Sequence, residues 1–226
     1  MTQRLYTTDP HINHELVSVE RMLRILNKTR TALGLRPLHK DELTDDQKAQ
    51  MVIDHARLLG ENWDRVVGPD DTVYVLGDIA MNPKKGAFEW FRERPGKKIL
   101  IAGNHDEVAG FRSKGLNARI RPEWADTFVT ITDFTFLKIG GHRVALSHYP
   151  YDGEGDREFE GGDRLLEVRL RDEGVPLLHG HTHGRHKAHT SLKGTPMFHV
   201  GPDAWDMELV PESTIIEWLD YLPRKD

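Results

Sequence analysis

Five short stretches carry the side chains best suited to chemistry: Asp9-x-His11, Gly77-Asp78, Gly103-Asn104-His105-Asp106, His148 and Gly180-His181-Thr182-His183. They offer carboxylates, an amide oxygen and imidazoles, groups that bind cations or move protons. In extended backbone, side chains repeat every two residues, so Asp9 and His11 point the same way and can share one cation. The chain has 13 histidines and no cysteine, so disulfides and thiolate sites are excluded and any metal is held by nitrogen and oxygen. Asp9, Asp78, Asn104, His11, His148, His181 and His183 together exceed what one tetrahedral ion uses, and they suit two ions sharing a carboxylate. Imidazole mixed with carboxylate fits Zn, Mn, Fe or Ni.

Each of these stretches closes a strand-like run. Arg4 to Thr8 precedes Asp9, Thr72 to Leu76 precedes Gly77, Lys98 to Ala102 precedes Gly103, Val144 to Ser147 precedes His148, and Val175 to Leu178 precedes the last stretch. In open α/β sheets the functional crevice lies beyond the carboxyl ends of the strands, which predicts that all five meet. Phe134 to Ile139 and His142 to His148, joined by Gly140-Gly141, read as a hairpin. Met197 to Val200 reads as a last strand, paired with Lys187 to Thr190.

Between the first two stretches, helical spacing predicts two helices. One runs from Glu15 to Leu33 on Leu16, Val19, Leu23 and Leu26, and ends at Gly34 and Pro37. The other begins at Thr44, with Gln47 at capping-box spacing, and stops at Gly68-Pro69; its stripe includes His55, which therefore reads as a packed core histidine. Short helices are expected around Phe88 to Phe91, Val108 to Phe111 and Leu165 to Leu170, a closing one over Pro211 to Tyr221, a turn at Asn82-Pro83 and an acidic, Gly-rich loop over Asp152 to Asp163. Pattern alone supports one mixed α/β domain over residues 1–226 with at least seven strands.

Several function classes fall away. A net charge of −5 argues against a general nucleic-acid or anionic-membrane binder, although Lys84-Lys85 and Arg185 with Lys187 offer local anion contacts. No apolar run has signal-peptide or membrane-span character, so a cytoplasmic protein is expected. His14-Glu15 resembles the start of a helical zinc-protease motif, but Ser18 stands where the second histidine is needed. No Gly-x-Gly-x-x-Gly follows a strand, which removes a dinucleotide-binding oxidoreductase.

In order and content, the pattern from Asp9 to His183 resembles that of the calcineurin-like metallophosphoesterases, and Phe198 to Asp206 is similar to the ending of their small single-domain phage and bacterial members. Pro10 departs from the apolar residue more familiar inside the first motif, and the helical pair between residues 15 and 67 is longer than usual. The resemblance implies a four-layer αββα sandwich of two mixed β-sheets, with that pair as a helical insertion. It implies a first ion on Asp9, His11, Asp78 and His183, and a second on Asp78, Asn104, His148 and His181, with Asp78 bridging. Ions about 3.5–4 Å apart would hold a hydroxide for in-line attack at phosphorus. His105 would then serve the leaving group, with Asp106 orienting it. A small phosphodiester, including cyclic nucleotides, is the expected substrate, with phosphomonoesters or a non-catalytic scaffold as alternatives.

Overall fold

The computed structural model describes residues 2–81, 86–155 and 162–222, and the expected turn at Asn82-Pro83 and the Lys84-Lys85 pair lie outside them. Among the described residues, ten strands form two mixed five-stranded sheets. The first contains β1 (Arg4–Thr7), β2 (Thr72–Val75), β3 (Lys97–Ile101), β4 (Thr130–Thr132) and β10 (Val210–Pro211), in the order β10-β1-β2-β3-β4. The second contains β5 (Phe134–Ile139), β6 (His142–Ser147), β7 (Leu177–His179), β8 (Ala188–Thr190) and β9 (Pro196–His199), in the order β5-β6-β7-β9-β8. Six α-helices accompany them among the described residues: α1 (Glu15–Ala32), α2 (Asp45–Val66), α3 (Ala87–Glu93), α4 (Gly115–Ala118), α5 (Pro122–Ala125) and α6 (Glu212–Asp220).

Strand alternation explains how the sheets stack. Leu5, Val73, Val75 and Leu100 face a core shared with Leu59 and Trp63 of α2 and Phe88 and Phe91 of α3. Their neighbours Tyr6, Tyr74, Leu76 and Ile101 face the other way, against Val144, Leu146, Leu178 and Phe198 of the second sheet and Ile215 and Leu219 of α6. Period-two alternation with both faces buried thus makes the first sheet an inner layer. On the far side of the second sheet, Tyr151, Leu170 and Val175 pack against Ala145, Leu177 and Met197.

Register brings the strand ends together. β1, β2 and β3 are parallel with Thr7, Val75 and Leu100 in line, so Asp9, Asp78 and Asn104 leave from one edge. β6, β7 and β9 are parallel with Leu146, Leu178 and Phe198 in line, which does the same for His148 and His181. Pairing continues past the strands: the N–H groups of Asp9, His11 and Ile12 donate to the carbonyls of Gly77, Asp78 and Ile79 at 2.9, 3.2 and 2.9 Å. Pro10 falls in this ladder at a position where no donor is used, so its missing N–H costs nothing there.

Thr44 caps α2 as expected: its hydroxyl accepts the Gln47 N–H at 3.2 Å, and the Gln47 side chain accepts the Thr44 N–H at 2.8 Å. The face α1 buries differs from the apolar stripe, because Ser18, Val19, Arg21 and Leu23 point inward while Leu16 is half exposed. Val108 to Phe111 is a series of turns, not a helix: Gly110 donates to Asp133 at 2.7 Å, and a Cβ there would fall 2.5 Å from that carboxylate. Leu165 to Leu170 contains a single 3-10 turn, Leu166–Val168.

Two buried histidines set an expected acid sensitivity. Burial, with Arg21 nearby, holds His55 down at about 3, and burial holds His199 down at about 4 despite the charges of Asp9 and Asp203. Both stay neutral in the fold while the unfolded chain takes up protons below about pH 6.5. Stability is therefore full above that pH and falls as pH drops toward 4, by roughly 1.4 kcal/mol per unit per histidine. Urea unfolding of metal-stripped His55→Gln between pH 6 and 4.5 should show a slope shallower by about that amount; slopes parallel to wild type would contradict it.

Candidate metal centre

Asp9 and Asp78 are built alike. One oxygen of each is consumed by the protein: Asp9 Oδ2 accepts the His181 N–H at 2.9 Å and lies 2.6 Å from the Thr8 hydroxyl, and Asp78 Oδ1 accepts the His105 N–H at 2.8 Å. The other oxygen faces a common centre. Asp9 Oδ1 lies 3.7 Å from His11 Nε2 and 3.5 Å from His183 Nε2, and these two nitrogens are 3.1 Å apart. Asp78 Oδ2 lies 3.4 Å from His148 Nε2, 3.8 Å from His105 Nε2 and 3.9 Å from His11 Nε2. Two groupings close enough to share an ion result, Asp9 with His11 and His183, and Asp9 with Asp78 and His148.

The backbone is bent to achieve this. Asp9, His11, Asp78, His181 and His183 have φ of 50, 45, 53, 68 and 51°, and are five of the nine non-glycine residues with positive φ among the described residues. Such conformations cost on the order of 1–3 kcal/mol each and persist where surroundings enforce them. Glycine permits the close approach: a Cβ on Gly103 would stand 2.3 Å from Asp78 Oδ1, and one on Gly180 would stand 2.0 Å from the Thr8 hydroxyl.

The donor set is that of a cation site. His148 Nδ1 lies 2.6 Å from the Leu76 carbonyl, which can only accept, so Nε2 turns inward. There it meets Asp78 Oδ2 and, at 3.3 Å, Asn104 Oδ1, two more acceptors. A positive charge is required among them. Although burial opposes it, the Asp78 and Asp9 carboxylates raise His148 to about 10, so a proton fills that role when no metal does. Burial would raise Asp78, yet His148 brings it down to about 2; Asp9 is likewise driven well below the carboxylate range by His148, His11 and His183 against its burial. Asp9 Oδ1 is buried with no hydrogen-bond partner, an orphan that a cation would satisfy.

His181 arrives by a different route: its ring stacks edge-on with His148, centroids 5.2 Å apart, while its Nε2 lies 3.3 Å from Glu154. Asn104 is anchored through its carbonyl, which accepts from Arg112. His105 stands at the rim with a third of its side chain exposed. Asp106 braces the loops, not the His105 ring: fully buried, it accepts the N–H groups of Gly103, Asp78 and Ile79 at 2.8, 2.9 and 3.1 Å. It is a positioning residue for the backbone that carries Asp78. His55 packs against Ser18 at 3.0 Å, away from the centre, and His199 is buried beside His179.

Sequence patterning missed Arg21, Glu154, Arg169 and Asp203, all buried behind the centre. Charged side chains on a helix or in an acidic loop carry no pattern that separates them from solvated ones.

The profile of the calcineurin-like phosphoesterase family matches residues 5–185, and the chain belongs to that family. Phosphoester hydrolysis supported by metal is therefore its chemistry. The Gene 66 protein of Mycobacterium phage L5 is 34% identical over 240 residues, covering 100% of this chain and 98% of its own length. The Gene 66 protein of Mycobacterium phage D29 is 39% identical over 173 residues, covering 74% of this chain and 84% of its own. Among solved structures, the protein of unknown function AQ665 from Aquifex aeolicus shares the fold with a TM-score of 0.57 at 20% identity, covering 96% of this chain and 100% of that one.

Proposed function

We infer that the chain is a dinuclear metal-dependent phosphodiesterase for small esters, with Asp9, His11, Asp78 and His183 holding one ion and Asp78, Asn104, His148 and His181 the other. The observation that carries the reading is the outward-turned oxygen of Asp78, which lies within 3.9 Å of His11, His105 and His148 and so belongs to both sets. When bound, a pair of divalent cations supplies charge to the phosphoryl oxygens and lowers the pKa of water for in-line displacement. Zn, Mn, Fe or Ni suit the nitrogen and oxygen donors.

The surrounding residues favour a diester. A cleft of about 190 Å³ contains His11, Asp78, Asn104, His105, His181 and His183, with His14 and Arg164 at its mouth. Hollows open from it on two sides. One, lined by Ile12, Leu16, Val52, Ile53 and Met81, shares His14, Leu16 and Met81 with the cleft and suits an apolar arm. The other, lined by Arg21, Arg24, Arg185, Thr182 and Asp203, shares Val17, Glu20 and His183 and suits a polar arm. A phosphomonoester would use only one of them. The helical pair supplies Leu16, Val52 and Ile53, which gives it a part in substrate choice. No described helix is long and apolar enough to cross a membrane.

The test is a panel of aryl monoesters, aryl diesters and cyclic nucleotides on metal-stripped protein with each divalent metal restored singly. Diester kcat/KM should exceed monoester kcat/KM, chelator should abolish turnover, and metal should restore it. Preference for monoesters would reverse the substrate assignment. Turnover of nothing with any metal would leave a binding scaffold.

A further inference from the structure

The two histidines of the Gly180–Gly184 turn are backed in the same way by residues far apart in sequence. His183 Nδ1 lies 3.5 Å from Asp203 Oδ2, on the side of the ring away from Asp9. His181 Nε2 lies 3.3 Å from Glu154 Oε2. Each of these carboxylates is held by two arginines. Asp203 Oδ2 accepts from Arg21 Nε at 3.1 Å and Nη2 at 2.6 Å, and its Oδ1 accepts from Arg24 at 3.0 Å. Glu154 Oε2 accepts from Arg164 Nε at 3.2 Å and Nη2 at 2.9 Å, and its Oε1 accepts the Arg164 backbone N–H at 2.9 Å and a hydrogen bond from Arg169. The side chains of Glu154, Arg169 and Arg21 are each only 2% exposed, and that of Asp203 is 7% exposed.

Buried ion pairs of this kind are costly in desolvation and contribute little net stability, so their placement calls for another explanation. Arginine is suited to it, since its planar fork fixes a carboxylate in orientation as well as in charge. Every hydrogen bond that Arg164, Arg21 and Arg24 make to these carboxylates is donated to a carboxylate oxygen, so Glu154 and Asp203 both stand as acceptors. Each arginine Nη2 also lies 3.4 Å from the histidine nitrogen beside it. That contact is longer than the 2.9 and 2.6 Å to the carboxylate, and the charged carboxylate oxygen, 3.3 Å from His181 Nε2 and 3.5 Å from His183 Nδ1, is the acceptor within reach of each ring N–H.

We propose that Glu154 is the positioning residue for His181 as Asp203 is for His183, and that the two carboxylates fix which ring nitrogen each histidine turns to the cations. The proposal rests on the dinuclear reading above. With its Nδ1–H given to Asp203, His183 presents Nε2; with its Nε2–H given to Glu154, His181 presents Nδ1. Partners of this kind typically set metal affinity by 10–100-fold.

The experiment titrates metal-stripped protein with Zn²⁺ against a chromophoric chelator and records long-range ¹H–¹⁵N spectra of the histidine rings in the loaded state. Wild type should bind two ions, and Glu154→Ala should weaken one of them by about 10–100-fold while the other stays at its wild-type affinity. Asp203→Asn should weaken the other ion. Glu154→Gln, which keeps an acceptor oxygen and the volume, should fall between wild type and alanine and covers the case in which alanine fails to fold. In wild type, the spectra should show His183 protonated on Nδ1 and His181 on Nε2. Folded Glu154 variants with both ions at wild-type affinity would overturn the positioning role, as would either ring in the opposite tautomer. Wild-type protein that binds fewer than two ions would instead sink the dinuclear reading, and this proposal with it.

Discussion

Asp78→Ala is expected to lose metal binding and turnover together, the largest effect of any single change in the chain. Its Oδ2 stands within 3.9 Å of His11, His105 and His148 at once, and its Oδ1 holds the backbone N–H of His105. Removing it leaves Asp9 Oδ1 to face His11 and His183 without a second carboxylate beside His148, and releases the turn that carries Asn104. Losing one electrostatic contact typically costs about 10²–10³ in kcat; on the dinuclear reading proposed above, Asp78 serves two ions and its loss should exceed the upper end of that range. It also removes the strongest reason for His148 to hold a proton, since Asp78 is the larger of the two charges that raise it. Metal content after equilibrium dialysis, measured beside turnover, checks the expectation. Asp78→Asn is the companion variant, because it keeps an acceptor for the His105 N–H while withdrawing the charge. Two ions retained at wild-type affinity in either variant would contradict a bridging role.

What the sequence exposes and what it hides follow from how local each signal is. The runs before Gly77 and Gly103, the Gly140-Gly141 hairpin and the Thr44–Gln47 capping box are legible because each is decided within a few residues by alternation, turn chemistry or a cap. The convergence of the five strand ends is legible too, since parallel pairing sends carboxyl ends to one edge. The short edge strands β4 and β10 are not, because three residues or two hold no period to detect. Arg21 shows the same limit on a helix. Hydrophobic spacing counts it as solvent-facing, yet it lies inward because the Asp9 carbonyl, at 2.9 Å, and Asp203 replace water around its guanidinium. Glu154 looked like one more acid in a polar loop until Arg164 and Arg169, from the far side of that loop, are seen to enclose it. Asp106 carries the clearest lesson: a carboxylate next in sequence to His105 invites a pairing between the two, whereas three backbone N–H groups from neighbouring loops are its partners.

His105→Ala is expected to keep the metals and lose turnover by about 10²–10⁴-fold, the range over which a positioned general acid acts. The separation is possible because His105 contributes to the centre in two parts. Its backbone N–H, donated to Asp78 Oδ1 at 2.8 Å, helps hold the shared carboxylate, and alanine keeps that bond. Its imidazole stands at the rim, 3.8 Å from Asp78 Oδ2 and edge-on to His11 with ring centroids 5.8 Å apart, where a leaving oxygen departing from the cleft would meet it. A proton donated there matters most when the leaving alkoxide is strongly basic and least when it is a nitrophenolate. The loss in His105→Ala should therefore grow from activated aryl esters to alkyl or ribosyl esters, while metal affinity stays at the wild-type level. Turnover measured across a series of leaving groups, with stoichiometry determined on the same samples, decides the matter. A loss that is uniform across the series would assign the imidazole to binding the phosphoryl group, and a loss that tracks departing metal would place it among the ligands.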